Sequence, residues 1–130
     1  MSIDRLTNRI RTLIQGLWFP SETEAPWTLP TWTLETDRET EIRQRLRRES
    51  DAPIRESSVQ DLMQQIQRRC RGYGSDGQAI AQQHQTLLEL LEKECDRVRV
   101  FRIGTITVDI LIVSDVASQY IVLQTQSVET

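Results

Sequence analysis

At 130 residues and 38% apolar content, the chain is sized for one domain, residues 1–130, with a real core, and is too short for a catalytic domain joined to a second module. A net charge of −3 and a pI near 5.2 argue against general affinity for nucleic acid or anionic membranes, which reward a basic surface. Cys70 and Cys95 fit neither a zinc pattern nor a CxxC redox site, no apolar run is long enough to span a membrane, and the first residues form no signal-peptide segment. The expectation is a soluble, reduced, cytoplasmic protein that is monomeric when free.

Ser2 is placed to cap a first helix whose apolar residues, Ile3, Leu6, Ile10, Leu13, Ile14 and Leu17, fall on one stripe. Gly16 ends it, and Leu17-Trp18-Phe19-Pro20 leads into an acidic loop, Ser21-Glu22-Thr23-Glu24-Ala25-Pro26. Trp27 to Leu34 reads as a strand, confined to an edge or bulged because Pro30 has no amide to donate. Thr36 or Asp37 caps a short helix reaching Arg48, anchored only by Ile42 and Leu46, and Ser50 to Pro53 ends it. The arginines of this region (Arg43, Arg45, Arg47, Arg48, Arg55, Arg68, Arg69, Arg71) are mixed with acids, which suits a solvated helical surface better than a phosphate track.

Ser58 and Asp61 resemble a capping box, followed by a stripe of Val59, Leu62, Met63, Ile66 and Cys70. Gly72 to Gly77 has no Gly-Lys-Ser/Thr ending and no GxGxxG, so it reads as an interhelical loop and not a phosphate cradle. The helix after it, about Gln78 to Glu94, aligns Ile80, His84, Leu87, Leu88, Leu91 and Cys95. His84 therefore faces the core and is expected to be a hydrogen-bonded structural histidine. No loop carries paired catalytic groups, so an enzyme is the least favoured class.

From Val98 the pattern turns to period two: Arg99, Phe101 and Ile103, then Ile106, Val108, Ile110 and Ile112, with Gly104-Thr105 suited to a two-residue hairpin turn. That register makes Arg102 the diagonal neighbour of Asp109 on the same face, and a structural ion pair between them is expected. A third run places Tyr120 and Val122 on one face, Ile121 and Leu123 on the other, and ends in Val128-Glu129-Thr130, a cluster of hard oxygen donors. The element order gives an α+β fold, a three-layer α/β/α sandwich around a small, mostly antiparallel sheet.

Gly16-Leu17-Trp18-Phe19-Pro20-Ser21-Glu22-Thr23-Glu24-Ala25-Pro26 resembles the signature of the cyanobacterial nuclease A inhibitor family: Gly-Leu, two bulky residues, one variable residue, then Ser-Glu-x-Glu-x-Pro. Leu87-Leu88-Glu89, Val100 to Gly104, Asp109 and Val128-Glu129-Thr130 are similar as well, and Asp51-Ala52-Pro53 extends the likeness to the middle. The resemblance implies the same sandwich and an inhibitor of a sugar-nonspecific DNA/RNA nuclease with a ββα-metal site. It implies that Glu22 stands in for the scissile phosphate, and that the Thr130 hydroxyl coordinates the nuclease's Mg²⁺, the chain needing no cofactor of its own. Glu24 and Glu129 join Glu22 and Thr130 as expected partner contacts. The family's characterised inhibitor carries an acidic residue followed by Trp before the long helix; here Arg71-Gly72-Tyr73 stands there, and Tyr73 is the candidate aromatic contact. The alternative is a small protein- or RNA-binding module using the arginine-rich middle.

Overall fold

The computed structural model describes residues 2–129. In chain order they form α1 (Ile3–Ile14), α2 (Glu39–Arg45), β1 (Ile54–Ser57), α3 (Val59–Cys70), a single 3₁₀ turn (Arg71–Tyr73), α4 (Gly74–Glu94), β2 (Arg97–Ile103), β3 (Thr107–Val116) and β4 (Gln119–Val128). The four strands pair antiparallel in the order β1-β2-β3-β4. This is an α+β fold.

β3 explains why one stretch lacks clean alternation. Val108, Ile110 and Ile112 pack under α1, α3 and α4, while Leu111 and Val113 pack against α2 and the segments flanking it. All five are fully buried, so the strand must be apolar on both faces. The second cluster joins Leu34, Ile42, Ala52, Phe101, Ile103 and Val122, and helical and irregular layers therefore lie on opposite sides of the sheet.

The helix ends follow local chemistry. The Ser2 hydroxyl accepts from the Arg5 amide at 3.2 Å, and the Ser58 hydroxyl from the Asp61 amide at 3.0 Å. Gly16, at φ 71°, takes the left-handed conformation that stops α1, and the Leu17 amide donates back to the Ile14 carbonyl. His84 is buried as expected: its Nε2 accepts from Trp27 Nε1 at 2.8 Å, and its Nδ1 lies 2.9 Å from the Ile80 carbonyl, to which it donates.

Several expectations are corrected. Trp27 to Leu34 is not a strand: its backbone pairs with the sheet at Thr28 alone among the described residues, which exchanges both backbone hydrogen bonds with Gln124 on β4. Pro26 and Pro30 flank that contact and leave no amides to extend it. The fourth strand is instead β1, too short to show a period. α2 stops at Arg45, not Arg48, because Arg47 turns left-handed at φ 56° and the Arg48 amide returns to the Arg43 carbonyl at 2.8 Å. Gly74 to Gly77 belongs to α4 and not to a loop.

The β2–β3 turn is wider than two residues, since Ile103 pairs with Asp109. Relative to a two-residue turn, this moves the register by an odd number and puts Asp109 on the opposite face from Arg102. Asp109 consequently pairs with Arg48 Nε at 2.8 Å, and Arg102 pairs with Glu129. The turn at Ala117-Ser118, both at positive φ, is the tight one.

Candidate partner-binding edge

The acidic loop is a miniature hairpin. The Trp27 amide donates to the Leu17 carbonyl at 3.2 Å and the Phe19 amide to the Ala25 carbonyl at 2.8 Å, closing a turn in which the Glu24 amide meets the Ser21 carbonyl at 3.2 Å. Phe19 and Trp27 are buried beneath it and cross edge to face, with centroids 6.1 Å apart. Burying such side chains stabilises the fold by about 1.5–3 kcal/mol each. Glu22 and Glu24 remain exposed at the tip. Glu24 holds φ 47°, a left-handed conformation that costs a non-glycine residue energy and sharply reverses the chain toward Ala25.

β4 carries this hairpin. The Thr125 hydroxyl lies 3.1 Å from each of the Ala25 and Pro26 carbonyls. Two residues further along the same face, the Ser127 hydroxyl accepts from Arg69 Nη1 at 2.9 Å. That same nitrogen donates to the Pro20 carbonyl at 3.0 Å, while Arg69 Nη2 pairs with Glu129. The guanidinium also stacks 5.6 Å from the centroid of the Phe19 ring. One side chain on α3 thus touches the base of the acidic loop and the end of β4.

Glu129 is held from three directions. Arg69 and Arg102 both pair with its carboxylate, and Gln65 Nε2 donates to it at 3.3 Å. Gln65 Oε1 in turn accepts from Arg102 at 2.8 Å. The Glu129 amide donates to the Ile106 carbonyl at 2.7 Å, which fixes the end of β4 beside the β2–β3 turn. Thr130 lies outside the described residues. Tyr73 sits on the other flank of the loop, its ring edge on to Trp18 at 5.2 Å, and is 37% exposed. Glu22, Glu24, Tyr73 and Glu129 therefore all belong to connected elements.

Sequence reasoning placed Arg69 among solvated charges and missed its role. The signal was present: Arg69 lies three residues after Ile66 and seven after Leu62, on the buried stripe of α3. The other middle arginines are also partly consumed by the fold. Arg43 donates to the Ala52 carbonyl, Arg48 to Asp109 and the Thr107 carbonyl. That use of the arginines detracts from a nucleic-acid track. Among the described residues, no group of three or more His, Cys, Asp or Glu side chains could hold a metal ion, and no helix is long and apolar enough to cross a membrane.

Compared with known families, the chain matches the family model described as nuclease A inhibitor-like protein over residues 4–130. No curated protein matches it.

Proposed function

Because the chain belongs to the nuclease A inhibitor-like family, we propose that it is a protein inhibitor of a sugar-nonspecific, Mg²⁺-dependent ββα-metal nuclease and acts by filling that enzyme's active site. The observation that carries this reading is the acidic hairpin, which presents exposed carboxylates on a tip whose base is pinned to β4 and α3. A nuclease cleft is built to take an anion, and a carboxylate presented without loop-ordering cost can occupy the place of the scissile phosphate.

In this proposal Glu22 enters the cleft as the phosphate mimic. Glu24, in its left-handed conformation, shapes the reversal and adds negative potential at the rim. Thr130 contributes its hydroxyl to the nuclease's Mg²⁺, a hard cation that prefers oxygen ligands. Glu129, its carboxylate engaged by Arg69 and Arg102, orients the approach of the following residue. Tyr73 offers the partner an aromatic surface beside the loop, a residue type that serves interfaces well because it buries much area at low entropic cost. The protein is a binder and not an enzyme: its groups occupy a site and turn nothing over.

The test is a titration. Purified protein added to a ββα-metal nonspecific nuclease with Mg²⁺ should abolish plasmid degradation near a one-to-one ratio. Undiminished degradation at a large excess of the protein would sink the proposal.

A further inference from the structure

We infer that Arg69 is a positioning residue that locks the acidic hairpin and the end of β4 into one rigid unit, so that both reach a partner in a fixed relation. This rests on the proposed inhibitory function for its consequence, but on geometry for its existence. Arg69 Nη1 donates to the Pro20 carbonyl at 3.0 Å and the Ser127 hydroxyl at 2.9 Å, and Nη2 pairs with Glu129. The three acceptors belong to segments about a hundred residues apart in sequence, joined through one planar fork. The Arg69 side chain is 26% exposed, so these bonds form largely away from water.

Arg102 supplies the internal comparison. It also pairs with Glu129 and is equally part of the ionic cluster, yet among the described residues its hydrogen bonds and ion pairs go to Gln65 and Glu129 and not to the hairpin. Removing Arg102 loosens the strand end alone; removing Arg69 uncouples loop from strand. Binding by two elements held in register costs less ordering than binding by two that move separately.

The experiment measures inhibition of a ββα-metal nuclease by the full chain carrying Arg69→Met, Arg69→Lys or Arg102→Met, each with and without Glu22→Gln. Alongside it, amide hydrogen exchange is measured on the free variants. In the native and Arg102→Met backgrounds, Glu22→Gln should weaken inhibition about 30-fold or more. In the Arg69→Met background it should weaken it less than about threefold, because the loop no longer arrives correctly placed. Arg69→Lys, which keeps the charge but cannot span three acceptors, should resemble Arg69→Met.

In the free protein, Arg69→Met should speed exchange at Phe19, Glu24 and Glu129 together, whereas Arg102→Met should speed it at Glu129 only. Equal Glu22→Gln factors in all backgrounds, or unchanged loop exchange in Arg69→Met, would overturn the inference. If the native chain inhibits no nuclease, the proposed function falls, and the exchange data decide the lock by themselves. If Arg69→Met does not fold, Arg69→Lys carries the same comparison, and native behaviour in it overturns the inference.

Discussion

Asp109 is the most buried acid among the described residues, 3% exposed, and its three partners come from two places. Arg48 reaches it from beyond α2, and Gln124 and Gln126 reach it from β4. Asp109→Asn leaves the Arg48 guanidinium with a weaker acceptor, so thermal denaturation should show destabilisation of roughly 1–3 kcal/mol. Inhibition by the folded variant should be unchanged, since the pair lies on the sheet face opposite Arg69. A native melting temperature with lost inhibition would instead place Asp109 in the interface. His84 makes a pH-dependent contribution: burial, opposed by its bond to the Ile80 carbonyl, lowers its pKa from 6.5 to about 4. Between those values the unfolded chain binds a proton that the folded chain refuses, so stability falls as pH drops from 6.5 toward 4 and levels off below. The total is roughly 3 kcal/mol. Denaturant midpoints taken across this window should show the slope, and His84→Gln should flatten it. A slope that persists in the variant would assign it to other groups.

At the scale of elements, the junction between the 3₁₀ turn and α4 is closely packed at Gly77. A Cβ on Gly77 would meet the Cys70 carbonyl oxygen at 2.0 Å, whereas Gly72 has nothing within 4 Å. Gly77→Ala should therefore destabilise the protein by about 1–3 kcal/mol, with Gly72→Ala within about 0.5 kcal/mol of native, as read by urea midpoints. Equal midpoints would mean that the junction yields cheaply. Elements with a strong period or a cap were legible in the sequence: α1 from Ser2, α3 from Ser58, the core face of α4 through His84, and the two faces of β4. Those fixed by tertiary contact were not. β1 has four residues and no alternation, and Trp27 to Leu34 has strand-like composition but prolines where amides were needed. The Asp109 partner was missed because the width of the β2–β3 turn set the register, and an odd shift exchanges faces. The acidic hairpin was readable as a motif, while Arg69, which joins it to β4, required the three-dimensional arrangement.

For the whole molecule, the sheet acts as a frame that brings segments from both parts of the chain to one edge. The helical face of β4 holds Thr125 under the hairpin and Ser127 under Arg69, Glu129 just past the strand pairs with Arg69, and Tyr73 flanks the loop through Trp18. Such an edge suits a binder whose acidic tip is ordered before it meets its target. The phosphate-mimic role of Glu22 is tested by the inhibition constant of Glu22→Gln against that of Glu24→Gln, both titrated into a ββα-metal nuclease with Mg²⁺. Glu22→Gln should lose about 2–5 kcal/mol of binding, as expected for one partner of a buried interfacial charge pair, while Glu24→Gln, at the rim, should lose far less. Native-like inhibition constants for both variants would contradict that role.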